Sequence, residues 1–270
     1  MELIKYVILG IIQGLTEPLP ISSSGHLLIF RELFNTNMFN DLNFEVMVNF
    51  GSFIAILIIF WKDIVRLVTN FFKYLFADKK DKKKYYEDFK YCMLIVVGSI
   101  PVGIIGLIFK DKIEAFASVK EVGFALLITA LALFIVKNSK GKKKDNEITY
   151  KDAIIIGLFQ MCALLPGLSR SGMVLVGCLL CGLNRESSLK YTFMLYFPVS
   201  VASFGLSSID VIQSGIASNL LLGYFLGMVA AGFVTYFTYQ WLSKIVQNGK
   251  LWKFSIYCII VALFIFIYFR

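Results

Sequence analysis

The sequence predicts an all-α polytopic membrane protein built as an inverted-topology repeat, with six transmembrane helices plus two re-entrant helical hairpins. Three observations predict this class. Apolar residues make up 58% of the 270 residues and charged residues only 17%, and the mean hydropathy is +0.74. Six apolar stretches are long enough to cross a bilayer, which takes ~20 residues. Two further apolar regions are interrupted by proline and serine at matching positions.

The composition also excludes several classes of protein. A chain this apolar is neither disordered nor a soluble nucleic-acid binder, so we expect no nucleic-acid partner. The net charge is +9, but the lysines cluster in loops between apolar runs, where membrane orientation explains them. The five cysteines are odd in number and lie in apolar segments, which argues against a secreted disulfide scaffold.

Each predicted span is an apolar run bounded by polar or charged residues. The six spans are Phe44–Trp61, Tyr91–Phe109, Val119–Val136, Tyr191–Ile209, Asn219–Leu242 and Leu251–Phe269. After the first span, Ile64–Phe76 mixes Arg66 and Lys73 with Phe and Leu. This mixture predicts an interfacial helix.

Two further apolar regions, Tyr6–Phe30 and Ala153–Asn184, each read as two short helices joined by a turn. The interrupting segments are Glu17-Pro18-Leu19-Pro20 with Ser22-Ser23-Ser24-Gly25, and Pro166-Gly167 with Ser169-Arg170-Ser171-Gly172. Proline ends a helix because it lacks the N–H donor and clashes with the preceding turn. Each half of ~10–16 residues is too short to span. A re-entrant hairpin is therefore predicted, with its open backbone buried in protein.

The two broken regions repeat each other at a spacing of 147 residues. Without a gap, Ile8, Gly10, Gln13, Ser22, Ser24 and Gly25 match Ile155, Gly157, Gln160, Ser169, Ser171 and Gly172. We predict a first repeat over 1–140, with its hairpin at 1–34, and a second over 141–270, with its hairpin at 152–184. Three spans follow each hairpin, so the second repeat is inverted. Broken helices at matching positions indicate a site near the bilayer midplane.

Loop charges predict the orientation. Twenty of the 27 Lys and Arg residues lie in loops 62–90, 137–151, 183–190 and 243–253, and six lie in the opposite-side segments. Cytoplasmic loops carry the excess of positive charge, so the first hairpin enters from outside and the second from the cytoplasm. The run Lys79–Lys84 is predicted to be a solvated cluster facing membrane lipids.

Few ionisable residues lie inside the apolar regions: Glu17, His26, Arg170 and, near the start of a span, Glu45. A charge at membrane depth costs at least ~2.5 kcal/mol, which implies a partner or a function. Gln13 and Glu17 are four residues apart and share a helical face. A site role for Glu45 and Asn49 stays open, because a carboxylate near an interface is often simply hydrated.

The two motifs together predict an anion site. The serine-rich segment opens a helix, and helix-opening amides with Ser hydroxyls bind anions. The second motif adds Arg170, a bidentate phosphate ligand. Diphosphate cleavage needs a nucleophile, charge stabilisation and proton handling. A serine could attack with Glu17 or His26 as base, or His26 could attack and form a phosphohistidine, with Arg170 stabilising the transition state.

Other readings of the same residues exist. Arg170 could tie to helix carbonyls or pair structurally with Glu17, and one of the three serines could serve only helix packing. Inverted repeats and broken helices are also typical of transporters, so a flippase or transporter for an anionic lipid is the alternative function. A bare membrane scaffold leaves the intramembrane Arg and Glu unexplained.

At the level of motifs the chain resembles a known family. Gln13-x-x-x-Glu17-Pro-Leu-Pro20-Ile-Ser22-Ser23-Ser24-Gly25-His26 resembles the (E/Q)xxxE plus PxSSxGH signature of bacterial undecaprenyl-diphosphatases of the bacitracin-resistance type. Pro166-Gly167-Leu168-Ser169-Arg170-Ser171-Gly172 resembles the PGxSRSG signature of that family. Length, hydropathy and motif separation agree over essentially the whole chain.

The resemblance implies a hydrolase that converts undecaprenyl diphosphate to undecaprenyl phosphate, recycles the lipid carrier for peptidoglycan synthesis and confers bacitracin resistance. It implies a homodimer in the bacterial cytoplasmic membrane, with a cavity open to the outer face. It also implies dependence on a divalent cation, Mg²⁺ or Ca²⁺. One carboxylate and one histidine make a poor cage, so we expect the ion to arrive bound to the diphosphate, with Glu17 as its one protein ligand.

By motif position, the resemblance gives catalytic roles to Glu17, Ser23, His26 and Arg170. The substrate-binding residues around them are Gln13, Ser22, Ser24, Gly25, Ser169, Ser171 and Gly172. The sequence departs from the family pattern at two places. Gln13 stands where many members have Glu, so it is neither a base nor a charged metal ligand. Val174 stands where the motif often ends in Thr, so a hydroxyl contact is lost there.

Overall fold

The fold is that of a computed structural model, which describes residues 2–34, 42–115, 118–214 and 219–269. Within these ranges the chain is helical. The described residues form the α-helices α1 Glu2–Thr16, α2 Ser23–Phe34, α3 Leu42–Phe76, α4 Lys82–Ala115, α5 Val119–Ile135, α6 Tyr150–Cys162, α7 Arg170–Leu180, α8 Arg185–Ser214, α9 Leu221–Gln247 and α10 Trp252–Tyr268. This confirms the helical class that the sequence predicted.

Among the described residues, three helices are long and apolar enough to cross a membrane, namely α3, α4 and α9. Large apolar side chains on the outside of the bundle remain exposed, such as Ile58 on α3, Leu107 on α4 and Ile260 on α10. Exposed apolar surface of this extent fits lipid contact. The chain is thus a helical membrane protein, while the count of six spans stays a prediction.

The segment Ile64–Phe76 is helical, as expected, and forms the second half of α3, which runs without a break from Leu42 to Phe76; its place at the membrane interface stays a prediction. The second half of α3 packs on α4 instead of standing alone. The ring centroids of Phe71 and Phe89 are 5.3 Å apart, and Asn70 Nδ2 donates to Asp88 Oδ2 at 2.6 Å. Packing against a neighbouring helix stabilises the continuation of α3 beyond the apolar stretch.

The helices of the two halves of the chain, α1–α5 and α6–α10, pack in a symmetric pattern. Helix α1 packs on α9, and its counterpart α6 packs on α4, the counterpart of α9. In the same way α3 packs on α9 while α8 packs on α4, and α5 packs on α10. Every pairing in this set maps onto another, or onto itself, when α1–α5 and α6–α10 are exchanged.

The loop at the start of the second half of the chain is held by an ion pair and a helix cap. Lys143 pairs with Asp152 at 3.0 Å, and Thr149 caps α6 by accepting a hydrogen bond from the Asp152 N–H. Burial raises the pKa of the Asp152 carboxyl, but hydrogen bonds from Thr149 and Lys143 outweigh it and hold that pKa below its ordinary value. The ion pair and the cap fix where α6 starts.

The two helix breaks lie against each other and against α5. Ser22 adopts φ +70° and Gly167 φ +89° at the turns before α2 and α7. A Cβ on Gly167 would lie 2.7 Å from Val122 Cα, and one on Gly25 would lie 2.8 Å from Val122 Cγ1 and 3.5 Å from Gly167 Cα. Because a side chain does not fit at either glycine, these residues allow the close approach of the two breaks.

Candidate active site

A cavity of about 660 Å³ opens where the two breaks meet α3, α4 and α8. Of the residues predicted from the motifs, seven line it: Glu17, Ser22, Ser23, Ser24, Ser169, Arg170 and Ser171. Glu45 and Asn49, whose role was left open, line it too. Four predicted residues lie outside the described cavity wall: Gln13, Gly25, His26 and Gly172.

Glu17 is the hub of the polar contacts. Ser23 Oγ donates to Glu17 Oε2 at 2.5 Å, and Arg170 Nη2 donates to Glu17 Oε1 at 3.1 Å. Gln13 Nε2 donates to the same Glu17 Oε2 at 3.0 Å and to Asn49 Oδ1 at 2.5 Å. One carboxylate therefore contacts a hydroxyl from its own half of the chain and a guanidinium from the other.

Ser23 and Arg170 occupy equivalent places in the two halves. Each is the first residue of a helix that begins at the cavity, α2 for Ser23 and α7 for Arg170. Partial positive charge concentrates at helix N-termini. Two such termini and one guanidinium therefore surround the cavity, and this arrangement suits an anionic group.

The predicted substrate-binding glycines have other partners. The Gly25 N–H donates to Ser22 Oγ at 3.3 Å, and the Gly172 N–H donates to Ser169 Oγ at 3.1 Å. These amides are used in capping their own helices. The structure places Gly25 and Gly172 in these caps and outside the described cavity wall, and their contact with the substrate stays a prediction.

The hydroxyl groups of the second break link the two motifs. Ser171 Oγ donates to the Leu19 carbonyl at 3.0 Å. Ser169 Oγ and Ser171 Oγ are 3.3 Å apart, and Ser22 Oγ and Ser24 Oγ are 3.5 Å apart. Each break thus presents a pair of neighbouring hydroxyls, and Ser171 also holds the second break to the first.

His26 lies outside the described cavity wall. The sequence predicts its imidazole beside the anion, and the structure has the side chain 4% exposed and packed behind the turn. Its Nδ1 lies 2.7 Å from the Ser22 carbonyl oxygen, and its Nε2 lies 2.8 Å from the Tyr257 hydroxyl. Because a carbonyl only accepts, Nδ1 is the donor, and Nε2 accepts from Tyr257. Nδ1 therefore binds the turn at Ser22, and Nε2 connects the ring to Tyr257 on α10.

The two departures from the family pattern lie away from the cavity wall. Gln13 is fully buried and hydrogen-bonded to Glu17 and Asn49. Val174 is 1% exposed within the hydrophobic core. A hydroxyl at position 174 would therefore face apolar neighbours, and the valine is the better fit there.

Sequence reasoning missed Tyr196 and Tyr257. The Tyr196 ring lies 4.7 Å from the Arg170 guanidinium carbon, and Tyr257 hydrogen-bonds to His26. Both tyrosines sit inside apolar helices, where aromatic residues are ordinarily lipid-facing or core. No local pattern separates them from the other eleven tyrosines in the sequence.

The cavity wall offers few ligands for a cation. The described residues contain no cluster of three or more His, Cys, Asp or Glu side chains. Two carboxylates, Glu17 and Glu45, line the cavity, and Glu17 already accepts three hydrogen bonds. Oxygen donors suit Mg²⁺ or Ca²⁺, but this set is too small for a cage.

The apolar helices and the polar cavity among them define a helical membrane protein with an internal polar site. The chain belongs to the family of bacitracin resistance protein BacA, which it matches over residues 6–264.

Relatives cover almost the whole chain. An undecaprenyl-diphosphatase 2 of Bacillus thuringiensis (strain Al Hakam) is 42% identical over 267 residues, 98% of this chain and 97% of the relative. An undecaprenyl-diphosphatase of Oceanobacillus iheyensis is 40% identical over 269 residues, 98% and 96% of the two chains. An undecaprenyl-diphosphatase 1 of Halalkalibacterium halodurans is 37% identical over 265 residues, 97% and 95%. These names lend no support to the transporter alternative.

Proposed function

We propose that this protein is an integral membrane phosphatase that hydrolyses undecaprenyl diphosphate to undecaprenyl phosphate and inorganic phosphate. The observation that carries the proposal is the contact of Ser23 and Arg170 with one carboxylate, Glu17, inside a cavity of a membrane protein. Family membership and the names of the relatives support the substrate. The activity recycles the lipid carrier for cell-wall synthesis, and thereby gives bacitracin resistance.

Ser23 is the proposed nucleophile and Glu17 the proposed general base. The Ser23 proton passes to Glu17 Oε2, to which the hydroxyl already donates. Ser23 Oγ then forms a bond to the terminal phosphorus, and the bridging P–O bond breaks to release undecaprenyl phosphate, which takes the proton from Glu17. Water, deprotonated by the regenerated Glu17 carboxylate, then attacks the phosphorus of the phosphoserine. The P–Oγ bond breaks, Glu17 returns the proton to Ser23 Oγ, and inorganic phosphate leaves. A base within hydrogen-bond distance of the nucleophile is the geometric requirement for this route.

Arg170 is the proposed binder of the diphosphate and stabiliser of the transition state. Its guanidinium is a third exposed and reaches the cavity while paired with Glu17. A planar, permanently charged fork matches phosphate oxygens. The N-termini of α2 and α7 add partial positive charge on the same side. These groups act where negative charge develops on the transferred phosphoryl group.

His26 is proposed to position the turn, since its Nδ1 donates to the Ser22 carbonyl and its Nε2 connects the ring to Tyr257. It fixes the Ser22 carbonyl next to the left-handed residue that precedes the nucleophile. A histidine buried in this way makes a poor nucleophile, because attack would require breaking both hydrogen bonds. The serine route is therefore preferred to a phosphohistidine.

A divalent cation, Mg²⁺ or Ca²⁺, is proposed to enter with the diphosphate. Glu17 and Glu45 are the carboxylates on the cavity wall that would contact it. When bound, the ion would neutralise part of the diphosphate charge. The protein's own groups still provide the nucleophile, the base and the guanidinium.

The proposed membrane arrangement is an inverted repeat, with α1–α2 and α6–α7 as re-entrant hairpins and three spans in each half. The exchange pattern of helix pairings supports the repeat, and the loop charges support cytoplasmic ends for the lysine-rich loops. The protein is then a homodimer in the cytoplasmic membrane, surrounded by membrane lipids, and its cavity opens to the outer face.

The test is phosphate release from undecaprenyl diphosphate by the purified protein in detergent. Ser23→Ala should abolish release, whereas Ser99→Ala, a second serine on the cavity wall, should retain it. A short incubation quenched in acid should yield a phosphorylated peptide that contains Ser23. Unchanged release by Ser23→Ala, or phosphate trapped on His26, would overturn the serine assignment.

A further inference from the structure

Tyr196 on α8 interacts with both partners of the Glu17–Arg170 ion pair. Its ring lies 4.7 Å from the Arg170 guanidinium carbon, and the side chain interacts electrostatically with the Glu17 carboxylate on the same cavity wall. A phenol hydroxyl can donate to a carboxylate, which only accepts. The side chain lines the cavity and is 7% exposed, so these contacts are made away from bulk water.

The Tyr196 ring is itself held on two sides. Phe53 of α3 packs against it with the ring centroids 6.2 Å apart. Phe197 of α8 packs against it on another side, with the ring centroids 6.2 Å apart. A side chain with two χ angles, fixed by a neighbouring helix and by its own helix, forms a rigid surface under the guanidinium.

The two contacts that Arg170 makes differ in how strictly they fix its orientation. The hydrogen bond to Glu17 depends on direction, whereas attraction to the face of an aromatic ring is broad and needs only proximity. The guanidinium can therefore turn away from Glu17 while it remains on the ring. A diphosphate entering the cavity requires this turn, because in the described state Arg170 is paired with Glu17.

We propose that Tyr196 is a positioning residue of the phosphatase. Its ring supports the Arg170 guanidinium as it turns from Glu17 to the diphosphate, and its hydroxyl keeps the Glu17 carboxylate directed at Ser23 once Arg170 has left. The inference rests on the roles proposed above for these three residues.

The experiment measures kcat and KM for undecaprenyl diphosphate with Tyr196→Leu and Tyr196→Phe. Loss of the ring should lower kcat/KM of Tyr196→Leu by roughly 5- to 30-fold. Tyr196→Phe keeps the ring, so it should lose less, and in kcat rather than KM. Tyr191→Phe is the matched control: it lies on the same helix, outside the described cavity wall, and its hydroxyl donates to the Leu94 carbonyl at 2.7 Å.

A double-mutant cycle separates positioning from general packing. If Tyr196 acts through Arg170, the effect of Tyr196→Leu should shrink to about twofold or less in an Arg170→Lys background. If Arg170→Lys is too slow to assay, the same cycle is run on the Kd for inorganic diphosphate. Tyr196→Phe conserves the ring volume, so its loss of kcat tests the hydroxyl even if Tyr196→Leu does not fold.

Three outcomes would overturn the inference. The first is a Tyr196→Leu protein with the kcat/KM of the wild type, and the second is an equal change of kcat and of KM in Tyr196→Leu and Tyr196→Phe. The third is an equal loss of kcat/KM on Tyr196→Leu in the wild-type and Arg170→Lys backgrounds. A loss by Tyr191→Phe as large as that of Tyr196→Phe would also overturn it. Failure of the wild-type protein to release phosphate would instead overturn the proposed function, and so the two failures are distinguishable.

Discussion

Replacement of Glu17 by Gln tests the centre of the proposed mechanism. The amide keeps the size of the side chain but cannot take the proton of Ser23, whose hydroxyl donates to Glu17 at 2.5 Å. General-base catalysis contributes about 10²- to 10⁴-fold to rates, and within the described cavity wall the other carboxylate is Glu45. We therefore expect kcat to fall by about 10²- to 10⁴-fold.

The same substitution should leave substrate binding intact or improve it. Arg170 donates to Glu17 at 3.1 Å, and removal of that negative charge frees the guanidinium for the diphosphate. KM should therefore stay equal or fall while kcat collapses. The assay is phosphate release over a range of undecaprenyl diphosphate concentrations, with Glu186→Gln, an exposed carboxylate in the first turn of α8, as control. A Glu17→Gln protein that keeps more than about a tenth of wild-type kcat would refute the base assignment.

Three further predictions concern the structure around the site. His26→Asn retains a donor for the turn and should keep more than about a tenth of the wild-type rate of phosphate release, whereas the rate of His26→Ala should be lower. Complete loss of phosphate release in His26→Asn would instead favour a chemical role for the imidazole. Gly167→Ala should lower the apparent Tm, because φ is +89° and the new Cβ would meet Val122 Cα at 2.7 Å; Gly205→Ala, which meets nothing within 4 Å, should not. Asp152→Asn should lower the apparent Tm on the order of 2–4 °C at pH 7. Because the pKa of Asp152 is lowered on folding, that difference should be full above the ordinary Asp pKa of about 4, shrink as the pH falls below it, and vanish below the lowered folded-state pKa. A pH-independent difference would exclude the ion pair as its cause.

The two halves of the chain supply different chemical groups from equivalent positions. The 147-residue spacing places Ser23 against Arg170 and His26 against Met173. Two matching helix breaks thus supply the proposed nucleophile on one side and a cation on the other. Because the breaks meet at α5, one cavity receives both groups.

Much of this was readable from residue types alone. Proline next to serine and glycine ends one helix and starts another, so the breaks after Thr16 and Cys162 were predictable from local chemistry. Long apolar runs gave the helices, and charge inside them singled out Glu17 and Arg170, because an unpaired charge at membrane depth is expensive. These effects act over a few neighbouring residues, so a single sequence is enough to predict them.

Tertiary packing decided the rest. Whether an imidazole faces a cavity or the back of a turn depends on the residue that reaches it from elsewhere, and for His26 that residue is Tyr257, 231 positions away. The same holds for Tyr196. In the sequence it is an ordinary aromatic residue of an apolar helix, and only the packing of α8 shows that its ring lies against Arg170. The amino-acid sequence determined which groups can carry charge and where helices stop. Which of them touch was decided by helix packing, because contacts between distant segments leave no periodic pattern along the chain.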